Sequence, residues 1–186
     1  MATASQARAT IEDLYREEGK AELIGGRIVR YMATGCRPSR VASRIFRSLD
    51  DFADRAGVGL AFNDNLGFAV PELSTGRQSF SPDASYYLGP MPANPMRFIE
   101  GPPTLAVEVR SENDYGPAAE AQMAAKRADY FEAGTAVVWD VDPIAETIAA
   151  YRSATLDLPT VYTRDQTAEA EPAAPGWRVD LAWVFG

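Results

Sequence analysis

The segment Thr104-Leu105-Ala106-Val107-Glu108-Val109-Arg110-Ser111 has the composition of a short central strand. Most of its side chains are apolar, and the β-branched ones among them favour a pleated, buried backbone. Glu108 interrupts the apolar run, and a carboxylate in such a strand is costly to desolvate unless a positive charge meets it. The segment therefore predicts a buried strand that presents one acid to a polar site.

The sequence after this strand predicts a crossover to a second buried strand. A polar turn at 111–116 leads into an expected helix from Pro117 to Ala133, which Gly134 would end as a C-terminal cap. The apolar segment 136–141 then has the pattern of another buried strand. Strand, helix and strand in this order indicate an α/β fold in which helices flank a mixed β-sheet.

The remaining chain adds an N-terminal helix, a β-hairpin and further strands to this unit. The length of 186 residues suits one domain, which we assign to residues 1–186. Apolar spacing and turn residues predict a short helix near 10–18, a hairpin at 22–31, a helix at 39–55, a strand pair at 60–62 and 67–70, a strand at 83–88, an irregular proline-rich loop at 89–103, a hairpin strand at 147–151, a loop at 168–175 and a closing segment at 177–185.

The composition excludes several classes of active site. The chain has no histidine, which excludes Ser-His-Asp and Cys-His catalysis and histidine-bound zinc. A metal would need oxygen ligands, which favours Mg²⁺ or Mn²⁺. The net charge of −8 argues against tight, nonspecific binding of nucleic acid, because phosphate contacts need clustered basic residues.

The sequence also predicts a location. It contains no run of about 18 apolar residues that would form a transmembrane helix. Residues 1–5 lack the basic and apolar segments of a secretory signal. Cys36 is the single cysteine, so an internal disulfide is excluded, as is typical of proteins in a reducing cytoplasm. We therefore expect a cytoplasmic protein that does not bind membranes.

Two acids and one lysine have the spacing of a metal-dependent phosphodiesterase site. Asp83 opens one predicted strand behind Pro82, Glu108 lies in the next strand, and Lys126 lies on the helix that packs back over the sheet. Hydrolysis of a phosphodiester with a divalent cation needs carboxylates for the ion and a cation near the phosphate. Spacing alone leaves a second interpretation open, in which Glu108 is a structural acid that pairs with Arg110 on the same face of the strand.

Five short motifs follow one another along the chain: Glu22-Leu23-Ile24-Gly25-Gly26-Arg27-Ile28-Val29, Pro82-Asp83, Glu108-Val109-Arg110-Ser111, Lys126 to Gly134, and Val138-Trp139-Asp140-Val141-Asp142-Pro143. This ordered set resembles the Uma2 family of restriction-endonuclease-like proteins. The resemblance, from about Ile11 to Phe185, implies the core of the PD-(D/E)xK nuclease superfamily, which is a mixed sheet flanked by helices. One departure is the absence of the histidine that family members often carry just before the second helix.

The resemblance also implies roles for individual residues. Asp83 and Glu108 would be metal ligands, and Lys126 would be the essential lysine, moved from the strand to the helix. Arg110 stands where the usual motif has its lysine. Glu22, in the first motif, would be an additional acid of the site.

These assignments predict an endonuclease that hydrolyses DNA with Mg²⁺ or Mn²⁺ as its cofactor. The backbone carbonyl of Val109 completes the predicted set of metal ligands. Glu22 is expected to orient the attacking water or a second ion. Lys126 is expected either to help deprotonate that water or to stabilise the charge on the phosphate. We also expect a homodimer, because cutting both strands needs two sites and the first hairpin offers an exposed edge.

Two other functions fit the same residues. A retired nuclease fold that acts as an interaction or scaffold module would explain the acidic charge and the missing histidine. An enzyme that acts on RNA or on a nucleotide would need the same site residues as a DNA nuclease. The arginines at 40, 44 and 47 likewise have two interpretations, as phosphate contacts or as a solvated helix face.

Overall fold

Four helices flank or separate groups of consecutive strands along the part of the chain that the structure describes. The computed structural model covers residues 7–186, except for the side chain of Asp157, and the segment 1–5 considered above for a secretory signal lies outside it. The helices are α1 (Ile11–Leu14), α2 (Cys36–Ala56), α3 (Pro117–Ala133) and α4 (Leu181–Phe185). Within residues 7–186, no helix combines the length and the apolar character needed to cross a membrane.

A six-stranded mixed sheet forms the centre of the fold. The strands of the chain are β1 (Ala21–Ile24), β2 (Arg27–Arg30), β3 (Leu60–Asn63), β4 (Phe68–Ala69), β5 (Ser79–Phe80), β6 (Ala84–Tyr87), β7 (Ile99–Glu100), β8 (Leu105–Val109), β9 (Val137–Asp142), β10 (Thr147–Arg152), β11 (Thr155–Thr163), β12 (Thr167–Glu169) and β13 (Arg178–Asp180). The main sheet has the order β11-β10-β9-β8-β6-β3. Within it β8 and β9 are parallel and the other neighbours are antiparallel. This mixed sheet, flanked by helices, confirms the predicted α/β fold.

Helix α3 is the crossover between the parallel strands β8 and β9, as the sequence predicts. Pro117 begins the helix at a position where its missing N–H is not needed. Gly134 ends the helix with a φ of 107°, which glycine adopts without strain. The crossover returns α3 over one face of the sheet, so that its middle turns approach β8.

Side-chain alternation along β8 decides which residues face α3. Leu105, Val107 and Val109 belong to the core cluster that contains the buried stripe of α2. Ala106 belongs to the second cluster, on the side of the sheet that α3 covers. Because successive side chains of a strand point to opposite faces, Glu108 shares the face of Ala106. Glu108 therefore points toward α3.

Several strand predictions are wrong. The segments 60–62 and 67–70 do form strands, but β3 pairs with β6, whereas β4 pairs with β5 and, in parallel, with β7. The segment 89–103, predicted as an irregular loop, contains β7, and the edge strand β11 is absent from the prediction. Local apolar patterns identify a strand without identifying its partner, which tertiary packing selects.

Two helix boundaries also differ from the prediction. Helix α1 spans only Ile11–Leu14, whereas apolar spacing indicated 10–18. Helix α2 begins at Cys36 rather than at residue 39. Pro38 lies in the first turn of α2, where proline is tolerated, so it does not delay the start of the helix.

Candidate active site

The four side chains predicted to form the site come together near the end of β8. Glu108 projects from β8, Asp83 immediately precedes the neighbouring strand β6, Lys126 lies on α3 and Glu22 lies on β1. The antiparallel register that sets Ala84 opposite Val107 brings Asp83 to the level of Glu108. Four parts of the chain that are distant in sequence thus meet at one point of the sheet.

Asp83 is fixed against the backbone of β8. The N–H of Asp83 donates to the carbonyl of Val107 at 2.9 Å. Its Oδ2 accepts a hydrogen bond from the N–H of Val109 at 2.8 Å, and its Oδ1 accepts one from Nζ of Lys20 at 2.6 Å. The side chains of Asp83 and Lys20 are 23% and 22% exposed, so this pair remains open to solvent on one side.

Glu108 faces α3, where two side chains of that helix hold its carboxylate. Nζ of Lys126 lies 2.8 Å from Oε1 of Glu108, and the hydroxyl of Tyr130 donates to the same oxygen at 2.6 Å. Burial raises the pKa of Glu108, and the charges of Asp83 and Glu22 add to this effect against the opposing influence of Lys126. The ionised form of Glu108 would therefore gain from a further positive charge.

Lys126 bridges two of the predicted acids. Its Nζ lies 2.8 Å from Oε1 of Glu108 and 3.1 Å from Oε1 of Glu22. Burial by itself would lower the pKa of Lys126, but the two carboxylates outweigh burial and raise the pKa. Lys126 is therefore a charged ammonium group held between Glu22 and Glu108.

Glu22 has no exposed surface and is saturated by donors. Its Oε2 accepts hydrogen bonds from the Arg77 guanidinium and, at 2.9 Å, from the Tyr31 hydroxyl. Its Oε1 accepts the backbone N–H of Ser81 at 3.0 Å. Burial acts to raise the pKa of Glu22, but the charges of Lys126 and Arg77 lower it to about 2. Glu22 is therefore an ionised acid that is fully compensated inside the protein.

Arg77 links Glu22 to helix α3. While one end of its guanidinium meets Glu22, its Nε donates to Oδ2 of Asp129 on α3 at 2.7 Å. Burial lowers the pKa of Arg77, but the carboxylates of Glu22 and Asp129 outweigh burial and raise it. This buried contact fixes the hairpin against the helix that carries Lys126.

Four residues of the site escape sequence-based prediction: Lys20, Tyr31, Arg77 and Asp129. Their contacts join parts of the chain that are far apart, and no local pattern marks them. One signal was available in the composition. The chain contains only two lysines, at positions 20 and 126, among 18 basic residues, and both lie at this site. The positions of the two lysines in a chain whose other basic residues are arginines therefore indicate the site.

Arg110, at the position of the usual lysine, does not pair with Glu108. Its guanidinium makes a two-pronged contact with the buried carboxylate of Asp140 on β9, at 2.8 and 2.9 Å. It also binds Glu120 on α3. The interpretation in which Arg110 neutralises Glu108 is therefore wrong, and Lys126 has that role.

The oxygens of Asp83 and Glu108 suit a hard divalent cation such as Mg²⁺ or Mn²⁺. Each carboxylate is paired with one ammonium group, Asp83 with Lys20 and Glu108 with Lys126, so an ion would compete with these lysines for the carboxylate oxygens. Across residues 7–186, no three acidic, histidine or cysteine side chains gather closely enough to share one ion. An ion at this position would therefore use two carboxylates, and backbone carbonyl and water oxygens would complete its coordination.

The charge of the site and its surroundings also fit such an ion. The cluster contains four acids and three bases, which leaves a net charge of −1: Glu22, Asp83, Glu108 and Asp129 against Lys20, Arg77 and Lys126. A divalent cation would make this net charge +1, which favours binding of a phosphate group. The site opens into a groove between the β1–β2 hairpin, α2 and α3, and Asp83, Glu108 and both lysines line that groove.

Comparisons with known proteins identify the fold and the family. The solved structure of a protein from Anabaena variabilis, described as a putative nuclease of the DUF820 family, has a TM-score of 0.73 to this chain. The two chains are 18% identical, and the match covers 95% of this chain and 97% of the other, which supports the nuclease fold. No curated protein matches the chain. A family model for Uma2, described as a putative restriction endonuclease, matches residues 8–182, so the chain belongs to the Uma2 family.

Proposed function

We propose that the protein is a metal-dependent nuclease that hydrolyses phosphodiester bonds of DNA. The convergence of Asp83, Glu108 and Lys126 beside one open groove carries this proposal. It provides two carboxylates for a cation next to an ammonium group that can contact phosphate. We treat residues 1–186 as one domain that contains the whole site.

Asp83 and Glu108 would hold the cofactor, Mg²⁺ or Mn²⁺, together with the backbone carbonyl of Val109. When bound, the cation would polarise the phosphate and make water a stronger nucleophile. The N–H of Val109 already donates to Asp83, so the backbone of β8 fixes the separation of the two acids. Ligands placed on strands in this way need little rearrangement when the ion arrives.

Lys126 is assigned to the phosphate. Because its ammonium group is paired with two carboxylates, it is a fixed positive charge rather than a base. In the reaction, the oxygen of water attacks phosphorus and releases a proton to solvent, the bond to one nucleoside oxygen breaks, and that oxygen takes a proton from solvent to leave as a hydroxyl group. Negative charge grows on the phosphate oxygens as the new bond forms. A preorganised ammonium group beside those oxygens stabilises that charge. Of the two roles expected for Lys126 from the sequence, its contacts support this one.

We assign Glu22 the role of holding the ammonium group of Lys126 in place. It lies 3.1 Å from the ammonium group and has no exposed surface from which to reach a substrate. Its role in orienting the attacking water stays a prediction.

Lys20 is assigned a separate role, as the cation that neutralises Asp83 until the cofactor binds. Its Nζ lies 2.6 Å from Oδ1 of Asp83, an oxygen that a metal ion would need. The lysine lines the groove, so its side chain has room to turn away from Asp83. We infer that the ion and Lys20 compete for this oxygen.

Assembly and location follow from the proposed chemistry. Cleavage of both strands of DNA needs two sites, and we propose that a homodimer supplies them. The single cysteine supports a location in the reducing cytoplasm.

A second function, a non-catalytic interaction module on the nuclease fold, is favoured by one observation. Glu22, Asp83 and Glu108 all have protein cations as partners, so the fold neutralises them without a metal ion. Binding of a divalent cation separates the two functions, because a retired site has no saturable affinity for one.

The proposed nuclease is tested by nicking of supercoiled plasmid in the presence of Mg²⁺ or Mn²⁺. Glu108→Gln and Lys126→Met remove charges from the site, whereas the control Glu112→Gln removes an exposed acid that lines the same groove. We expect the wild type and Glu112→Gln to nick. Each site variant should lose about 100-fold or more in rate, because each removes electrostatic stabilisation of the transition state.

The proposal is wrong if the wild type nicks with neither ion, or if the site variants nick as fast as Glu112→Gln. Circular dichroism of each variant verifies that it is folded. A labelled DNA oligonucleotide and a labelled RNA oligonucleotide of the same sequence, assayed in parallel, distinguish a DNA nuclease from one that acts on RNA.

A further inference from the structure

Helix α2 and the C-terminal helix form an arginine patch, which consists of Arg40, Arg44, Arg47 and Trp183. We propose that this patch binds the phosphodiester backbone of the nucleic-acid substrate where it extends from the candidate active site along α2. The inference deepens the proposed nuclease function and rests on it for the identity of the ligand.

The first half of α2 concentrates positive charge in an acidic protein. The chain has a net charge of −8, yet the segment 36–47 contains four arginines and no acid. Positive charge in the first turn of a helix opposes the helix dipole, which applies to Arg37, and the segment has no acid that offsets the arginines after it. A bound anion would compensate this excess of positive charge.

Most of these arginines lack a carboxylate partner. Arg37 pairs with Glu146 at 2.5 Å. By contrast, no acid in the described part of the chain forms a salt bridge with Arg40, Arg44 or Arg47. Partial burial and the neighbouring charges of Arg40 and Arg47 lower the pKa of Arg44. The three guanidinium groups repel one another, and an anionic ligand would relieve that repulsion.

Trp183 holds the patch in place. Nη1 of Arg44 donates to the carbonyls of Trp183 and Val184 at 2.6 and 3.2 Å. The Cζ atoms of Arg44 and Arg47 each lie 5.7 Å from the centroid of the Trp183 ring, within the range of cation–π contacts. Arg44 is therefore a positioning residue, while the exposed Arg40 and Arg47 keep their donors for a ligand.

The patch is continuous with the candidate active site. Arg47 lines the same groove as Asp83 and Glu108. Arg40 precedes Arg47 by seven residues, which is about 10 Å along the helix axis. That distance is about three nucleotide steps of one strand of a duplex. Because a guanidinium group binds phosphate through two parallel hydrogen bonds, a strand that leaves the site along α2 can use both arginines.

The test measures binding without cleavage. A short fluorescein-labelled DNA duplex is titrated with the protein in EDTA at several salt concentrations, and fluorescence anisotropy reports the affinity. The variant Arg40→Gln/Arg47→Gln is compared with Arg16→Gln/Arg55→Gln, which removes two exposed arginines elsewhere and so has the same net charge. We expect the patch variant to bind about 10-fold more weakly. The slope of its log affinity against log salt concentration should decrease by the amount that about two phosphate contacts contribute. The control variant should keep the salt dependence of the wild type.

Trp183 provides an independent signal. It is 40% exposed, whereas the two other tryptophans of the chain, Trp139 and Trp177, are 0% and 2% exposed. Quenching of tryptophan fluorescence by acrylamide therefore reports mainly on Trp183. The duplex should protect this signal in the wild type and fail to protect it in Arg40→Gln/Arg47→Gln.

Equal affinities of the two double variants, or a duplex that leaves Trp183 unprotected, would overturn the inference. Failure of the patch inference can be distinguished from failure of the nuclease proposal. A wild type that binds through the patch but never nicks plasmid contradicts only the nuclease function. A wild type that nicks while the patch variant binds normally contradicts only the patch.

Discussion

The charged residues of the candidate site form two regions that differ in exposure and in partners. The open pair, Asp83 and Glu108, has side chains that are each 23% exposed, and each carboxylate is neutralised by one lysine. The buried network, which consists of Glu22, Arg77 and Asp129, is almost inaccessible and pairs its charges internally. The two regions share Lys126, which contacts both Glu22 and Glu108.

This difference separates acids that can accept a ligand from acids that maintain the fold. Burial raises the pKa of Glu108, so that acid gains from an additional cation. Burial acts in the same direction on Glu22, but Lys126 and Arg77 overcome it and lower the pKa to about 2. The open pair is therefore where we propose that the metal ion binds, and the buried network fixes the elements around it.

The largest expected effect comes from Arg77→Met, which breaks the buried network. Glu22 and Asp129 would lose their shared partner while remaining buried, and loss of one member of a buried ion pair costs about 3–5 kcal/mol. Urea denaturation should show a decrease of this size in the free energy of unfolding. Lys20→Met, which breaks an ion pair of the open region, should lower it by about 1 kcal/mol or less. Similar losses in both variants would contradict the division into two regions.

A somewhat smaller effect on stability is expected when Glu22 is protonated at low pH. Because its pKa is about 2 in the folded protein and 4.5 ordinarily, ionised Glu22 stabilises the fold above about pH 4.5. This stabilisation is lost as the pH falls toward 2, and at 1.4 kcal/mol per pKa unit it amounts to roughly 3 kcal/mol.

The measurement compares the wild type with Glu22→Gln by urea denaturation between neutral pH and about pH 3. The difference in the free energy of unfolding should be constant near neutral pH and should shrink below about pH 4.5. Glu112→Gln, which removes an exposed acid, should show no such dependence. A difference between wild type and Glu22→Gln that persists unchanged in acid would rule out this contribution.

The smallest expected effect concerns the open pair and is an increase in its affinity for a metal ion. Lys20→Met removes the ammonium group from Asp83 and should raise the affinity for Mn²⁺ by up to about 5-fold, because a partly exposed ion pair contributes up to about 1 kcal/mol. Titration calorimetry measures this change, with Arg55→Met as the control that removes one positive charge elsewhere. Weaker or unchanged binding would mean that Lys20 does not compete with the ion.

The centre of the fold was predictable from the sequence because its signals are local. The apolar run of β8, the proline and glycine that bound α3, and the apolar run of β9 each specify an element without reference to the rest of the chain. Asp83, Glu108 and Lys126 could be proposed for the same reason, since each lies in a short motif, on β8 for Glu108, on α3 for Lys126 and immediately before β6 for Asp83. Side-chain alternation along β8 then directs Glu108 to α3.

The partners of these elements could not be predicted, because they depend on tertiary packing. The strands β3 and β4 are close in sequence and join different sheets. Lys20, Arg77 and Asp129 reach the site through contacts between distant residues, and the sequence around each resembles an ordinary surface segment. For the same reason the partner of Arg110 could not be predicted, because its pairing with Asp140 depends on the register of β8 and β9.

Titration calorimetry with Mn²⁺ tests most directly whether the open pair, rather than the buried network, binds a divalent cation. The wild type and Glu112→Gln should each show one saturable site, and Asp83→Asn should abolish it while the protein stays folded. An absence of saturable binding in the wild type, or unchanged binding in Asp83→Asn, would contradict the metal site and favour the interaction module.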